Sequence, residues 1–346
     1  MKTKILIIFS AFVFISCNTT TESNYETVTI EKPSNFPDIK FDSQENPVTN
    51  DGVALGRMLF YEGDLSSDGT VACAFCHVQE NAFTHHGHTL SHGVGGLQGM
   101  RNTPPVQNMV YMENIMWEGV LHNISSMALA PISNPVEMNG NFDVITQKLQ
   151  NSTKYNYKLQ FKKAFGNEEI TANKILLALG QFMATMVSAN SKYDKYVRHE
   201  EGVVLTNDEM QGLTVFNQKC ASCHATDLFT DQSYRNTGLY YNATLEDTGR
   251  ERVTHDANDY MKFRVSSLRN IELTAPYMHD GRFYTLNAVL NHYNSGVIDY
   301  PNLDPLLKQN GYTGIPLSTD EKQFLIAFLK TLTDYEFINN SNYSEN

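Results

Sequence analysis

The chain of 346 residues is poor in several things. It has one tryptophan and five cysteines, and charged residues make up only 18% of it. Basic residues are the scarcer sign, 26 Lys and Arg against 38 Asp and Glu, a formal net charge of −12. No basic patch interleaved with aromatics occurs, which argues against nucleic acid as a partner. Long apolar runs are missing too. The longest, Ile5 to Ile15, is too short for a comfortable membrane span. Strand patterns are short and few. With 41% hydrophobic residues and no extended low-complexity tract, the chain has a normal globular balance. Its length suits about two domains.

The N-terminus is laid out as a targeting segment. In MKTKILIIFSAFVFISC, Lys2 and Lys4 precede the apolar run and Ser16-Cys17 follows it. A cysteine just after the apolar core resembles the lipobox of bacterial lipoproteins. Residues 1–16 are expected to be a lipoprotein signal peptide, with Cys17 acylated, as the cysteine left over when the others pair off. That places the protein in the periplasm or cell envelope, touching membrane only through this anchor. Residues 17–45, rich in Thr, Ser, Asn, Glu and Pro, read as a flexible tether.

The other four cysteines stand in CAFCH, residues 73–77, and CASCH, residues 220–224. Two CxxC pairs can make a four-thiolate zinc site, and one can be a redox dithiol. CxxCH is also the attachment signature of a c-type heme. Only the heme reading uses all five positions: two thiols add to the porphyrin vinyl groups and the histidine lies under the iron. Two such sites in an exported chain favour covalent hemes on Cys73, Cys76 and His77 and on Cys220, Cys223 and His224. Each site follows a helical stretch ending in Phe and precedes a Phe-Thr pair, Phe83-Thr84 or Phe229-Thr230, as if one plan were used twice.

Helix signals dominate elsewhere. Ile175, Leu179, Phe182, Met183 and Met186 share one side of a long helix expected to close the first half. TNDE at 206–209 and STDE at 318–321 are capping boxes. In TLNAVLNHYNSG, Leu286, Val289, Leu290 and Tyr293 mark one helical face. The expected fold is mainly α: two cytochrome c-like heme domains, residues 46–200 and 201–340, packed around an interdomain interface, with long loops and few short strands.

Beyond the two CxxCH sites, LFYEGDLSSDGTVACAFCH, GVGGLQGMRNTPPVQN, MWEGVL, PISNPVEM and LRNIELTAPYMHDGRFYTLNAV complete a pattern. From about residue 50 to 335 the chain resembles the bacterial diheme cytochrome c peroxidases, a family that includes the MauG enzymes maturing methylamine dehydrogenase. The resemblance implies a peroxide-reactive N-terminal heme and an electron-transferring C-terminal heme. It implies that Trp117 lies between the hemes and that Glu137 is the distal acid/base that moves protons during peroxide cleavage. It implies a calcium ion held by Asn102, Thr274 and Pro276 between the halves. Taken as ordinary residues, these would be a core aromatic, a surface acid and loop formers.

Departures from the family pattern are informative. Met127 stands where a Gln is usual and Val120 where an Arg is usual, so the distal pocket loses polarity. The position of the histidine that closes the first iron in typical members is Val94, counting back from RNTPP. His92 is two residues away, with His85, His86 and His88 near, and the sequence does not decide whether one of them closes that iron at rest. Fourteen residues after His279, where typical members carry a methionine ligand for the second iron, stands Tyr293. MauG has a tyrosine ligand there. Tyr293 is therefore the expected ligand, with Met278, His292 and His279 as alternatives. Phenolate favours ferric and higher states.

The expected function is a periplasmic diheme peroxidase. It would either reduce hydrogen peroxide with electrons from a small redox protein or use peroxide to oxidise a protein partner. The competing reading is a non-enzymatic electron-transfer cytochrome, favoured by Met127 and Val120 and opposed by Glu137 and Trp117. The acidic surface suits a basic or neutral donor. Family members are often dimers, so a homodimer is an expectation from resemblance alone.

Overall fold

The structure is a computed structural model, and it describes residues 26–345. Residues 1–16, read above as a lipoprotein signal peptide, and Cys17 lie outside the described residues. The fold is mainly helical. Its helices of six residues or more are α1 (Asn50–Phe60), α2 (Phe142–Gln150), α3 (Tyr157–Phe165), α4 (Ala172–Thr185), α5 (Lys192–Val197), α6 (Asn207–Lys219), α7 (Leu286–Asn291) and α8 (Thr319–Lys330). Two antiparallel ladders of two-residue strands join Tyr234–Arg235 to Phe263–Arg264 and Lys308–Gln309 to Tyr312–Thr313. Among the described residues no helix is long and apolar enough to cross a membrane.

Both halves are built on a crossing of two helices that a glycine permits. In α1, a Cβ on Gly56 would lie 2.0 Å from the Ala178 carbonyl oxygen of α4. In α6, a Cβ on Gly212 would lie 2.0 Å from the Phe324 carbonyl oxygen of α8. Backbones at that approach tolerate no side chain. Four residues on, Phe60 and Phe216 enter the two separate cores, so the sequence GxxxF precedes each CxxCH. The predicted capping boxes are present, Thr206 with Glu209 and Ser318 with Glu321.

Four expectations change. The long helix closing the first half stops at Thr185 and resumes at Lys192. Asn108 intercepts it: the Ser188 N–H donates to Asn108 Oδ1 at 2.9 Å, and the Asn108 N–H donates to the Met186 carbonyl at 2.8 Å. The helix over 285–296 is α only to Asn291 and becomes a π turn over His292–Gly296. The stretch taken as tether is docked in its described part. The Val28 N–H donates to Val48 O, the Lys40 N–H to Val110 O, and Phe36 is buried edge-on against Tyr111. Enough apolar side chains punctuate the polar text to anchor it. Finally, the chain does not end in its second half. Phe337, Ile338 and Tyr343 join the first core, and Tyr343 donates from its hydroxyl to the Thr185 carbonyl at 2.7 Å.

The halves are locked by buried polar groups. Arg269 donates from Nη1 and Nη2 to the two carboxylate oxygens of Asp194, at 2.8 and 2.6 Å, with both side chains fully buried. Its Nε donates to the Asp227 carbonyl, and Phe36 lies 4.3 Å from the guanidinium carbon. Next to it, Gln107 donates to the Arg269 carbonyl, Asn270 donates to Ser188 Oγ, and Ser188 Oγ donates to Asp334. Burial works against charge on Asp194, but the Arg269 guanidinium and the Ser191 hydroxyl hold its carboxyl below the usual range. Its contribution is then full above the ordinary carboxylate pKa and is lost as pH falls through the lowered value. Arg269→Met should lower unfolding free energy by about 3–5 kcal/mol, because it strands a buried carboxylate. Asp194→Asn should flatten the acid limb of a urea-stability profile against pH.

Candidate functional site

Each CxxCH folds as one helical turn. The His77 N–H donates to the Cys73 carbonyl and the His224 N–H to the Cys220 carbonyl, both at 3.0 Å. The two cysteines thus lie three residues apart on a turn and the histidine follows at its end. The four thiols are free. Burial pushes Cys73 and Cys220 up to about 12 and Cys76 up to about 11, poor conditions for a resident thiolate. Cys73 packs against the first core and Cys220 against the second, so the pairs do not make one four-thiolate zinc site.

The histidines are oriented alike. His77 Nδ1 is 2.8 Å from the Phe83 carbonyl and His224 Nδ1 is 3.0 Å from the Phe229 carbonyl. Such a bond fixes the ring and leaves Nε2 free as a ligand. Burial lowers both imidazoles below their ordinary value, His77 to about 4. Phe83 and Phe229 both take left-handed backbone conformations, φ 60° and 55°, which turn their carbonyls back to the histidine. The repeated Phe-Thr pair is therefore the acceptor of the proximal ring. The sequence displayed the repeat without its reason.

The second site opens on a cavity of about 550 Å³. Cys220, Cys223, His224 and Tyr293 all line it, with Phe216, Leu290 and Leu325 among its apolar walls. A flat apolar cofactor fits that lining. Tyr293 sits in the π turn. Burial raises its phenol well above the ordinary value, and among the described residues nothing hydrogen-bonds its hydroxyl. Met278 and His279 line the same cavity. His292 does not compete, since its Nε2 is 3.0 Å from the Thr237 carbonyl.

The first half reaches into this cavity through Thr103, Pro104 and Trp117. Trp117 Nε1 donates to the Asn102 carbonyl at 2.9 Å, and the Arg264 N–H donates to the Trp117 carbonyl at 2.8 Å. Asn102, Thr274 and Pro276 line the cavity together. Asn102 Nδ2 is committed to the His88 and Thr89 carbonyls at 3.2 and 3.1 Å, which leaves its oxygen for another partner.

At the first site, Glu137 has its carboxyl raised by burial alone. It is close enough to Cys76 to disfavour a thiolate there. The Val94 N–H donates to the Glu137 carbonyl at 2.8 Å, and Gly93 packs so close that a Cβ would lie 2.3 Å from that oxygen. The loop of Val94 and His92 is thereby pressed on the backbone at Glu137. Met127 is half-buried against the first core, while Val120 is exposed.

Sequence reasoning missed two groups. Arg101 forms ion pairs with Glu118 at 2.6 Å and with Asp247, tying GMRNTPP to the second half. Its guanidinium lies 5.2 Å from the Phe263 ring centroid, and Phe263 stacks on His279 at 3.8 Å. Arg264 lines the second cavity with its charge disfavoured by burial, donating to the Met116 carbonyl. Such a guanidinium suits an acidic group of a bound cofactor. Arg101 lay inside a quoted motif; Arg264 had no local signal, since its burial is set by distant residues.

Residues 50–202 match the family model described as di-haem cytochrome c peroxidase. The chain belongs to the diheme cytochrome c peroxidase and MauG family. It is 35% identical to the methylamine utilization protein MauG of Methylorubrum extorquens, over 83% of this chain and 79% of that one. It is 32% identical to the cytochrome c551 peroxidase of Nitrosomonas europaea, over 83% and 81%. A crystal structure of a MauG-like protein associated with microbial copper homeostasis superposes with a TM-score of 0.82 at 32% identity, covering 92% of this chain and 99% of the other. The chain is thus a diheme c-type oxidoreductase that acts on hydrogen peroxide. Its two hemes supply the redox chemistry, and the two CxxCH turns are the residues that fit them. Glu137→Gln keeps the size but not the proton. It should slow reaction with peroxide by about 10²–10⁴-fold while both heme bands survive, as stopped-flow spectra would show; an electron carrier would be indifferent.

Proposed function

We propose that this diheme enzyme uses peroxide to oxidise a protein partner, as its MauG relatives' sequences suggest, rather than chiefly consuming electrons from a small donor. The observation that carries this reading is Tyr293. It lines the cavity of the second CxxCH from a π turn, with no protein group bonded to its hydroxyl among the described residues. A buried phenol gives up its proton only beside a strong positive charge, which a ferric ion supplies. Tyr293 would then hold the iron of the second heme from the cavity wall, with Met278 as the alternative. A phenolate there holds the second site in oxidised states.

The remaining residues take supporting roles. Glu137, half-buried and protonated more readily than an exposed acid, transfers protons at the first site. Trp117, anchored by Asn102 and Arg264, lies on the wall of the second cavity and carries charge between the sites. The Asn102 oxygen and the carbonyls of Thr274 and Pro276 hold a calcium ion that keeps the halves in register; oxygen donors of that kind suit a hard cation. The partner is a periplasmic protein attracted to an acidic surface, and Cys17 carries a lipid that keeps the enzyme at the envelope. Homodimerisation is compatible with this arrangement and is read from its relatives alone.

The test is to add hydrogen peroxide to the fully oxidised protein with no reductant. Rapid change in the Soret and visible bands of both hemes, lost in Tyr293→Phe, is the expected result. A protein that stays silent until one heme is reduced is instead a peroxidase fed by an electron donor, and the oxidising reading falls. Calcium removal by chelator should slow the same spectral change, with recovery on adding calcium back.

A further inference from the structure

The family's chemistry leaves one cluster unused. His85, His88 and His92 each bring one ring nitrogen within 4.8 Å of the other two. The spacing, two and then three residues between histidines, is not read out by a helix. The segment is a loop that turns at Gly87, φ +77°. Its shape is fixed from outside the cluster. The Ser91 N–H donates to the Arg101 carbonyl and the Gly99 N–H to the Ser91 carbonyl, each at 2.9 Å. The Gly93 N–H donates to Leu97 O at 2.8 Å, and Asn102 clasps the His88 and Thr89 carbonyls. Three imidazoles are thus held together by a braced hairpin.

The cluster has the marks of a ligand set. His85 is 9% exposed, and its Nδ1 has no hydrogen-bond partner. His85 and His88 stack at 4.2 Å with 15° between planes, and His92 stands edge-on to both, at 5.7 and 4.7 Å. His92 Nε2 is 3.0 Å from Gln98 Nε2. Burial and the neighbouring imidazoles lower His85 to about 4, so it rests in the neutral form that ligates. Stacked imidazoles gain little from one another, and a shared cation would give all three rings a partner.

We propose that His85, His88 and His92 form a binding site for one divalent transition-metal ion, Cu²⁺ or Zn²⁺, separate from both hemes. Neutral imidazole is the donor that suits these ions. Three histidines leave a fourth position for water. A tetrahedral zinc asks for nitrogens about 3.3 Å apart. Exposed His88 and half-buried His92 reach that by side-chain rotation. The site adjoins the first heme without using its ligand. Cys76 Sγ lies 3.5 Å from the His92 carbonyl oxygen, and the His85 ring lies 5.8 Å from that of Phe75, inside CAFCH. A bound ion would also brace the hairpin ending at Asn102, whose N–H donates to the His279 carbonyl of the second half at 2.7 Å.

The experiment uses the full chain with both hemes, chelator-treated and free of affinity tags, titrated with Zn²⁺ by calorimetry and with Cu²⁺ by electron paramagnetic resonance. One equivalent of each should bind, with nitrogen couplings in the copper spectrum. His88→Ala, an exposed change that leaves the heme bands intact, should weaken binding by at least about tenfold. His86→Ala, its exposed neighbour, should bind like the parent. Equal binding by parent and His88→Ala overturns the proposal. So does a switch of the first heme from low to high spin in metal-free His92→Ala, because the imidazole would then belong to the heme iron.

Discussion

Everything at the junction of the halves rests on one buried charge pair. Arg269 and Asp194 are both wholly out of solvent and bonded at two points. An unpaired charge in that place would be intolerable, so each half is held to the only position where its partner is satisfied. The pair is also surrounded. Asn35 and Ser191 supply further donors to the carboxylate, and Phe36 covers the guanidinium. The geometry of Trp117 and of the second cavity depends on this lock, since Arg269 and Asn270 begin the loop that carries Thr274, Pro276 and Met278 to the cavity wall.

The two heme sites are one local solution used twice on different scaffolds. A glycine lets two helices cross, a phenylalanine four residues later enters the core, and a left-handed phenylalanine offers its carbonyl to the ligating ring. They diverge in what else lies near each turn. Near the first is the half-buried Glu137, its backbone bonded to a histidine-rich hairpin. Beside the second, Tyr293 lines a wide apolar cavity. Two similar attachment turns are thereby given different surroundings, the lever by which a protein tunes a heme.

Much of this was legible beforehand. CxxCH carries its chemistry in contiguous text, and capping boxes act over four residues, so both could be read without a partner. The mainly helical character with few short strands followed from the same local patterns. What could not be read was set by distant contacts. The break after Thr185 is made by Asn108 and Asp334, far along the chain. The docking of residues 28–48 depends on Val110 and Tyr111. The π turn at Tyr293 has the apolar spacing of an ordinary helix, because a one-residue bulge leaves the pattern before it untouched.

The return of the last residues to the first half has a bearing on how the molecule comes into being. Phe337, Ile338 and Tyr343 fill the core that contains α1 and α4. The core against which Cys73 packs is therefore completed only once these late residues have docked, and the first half cannot finish its core with its own residues alone.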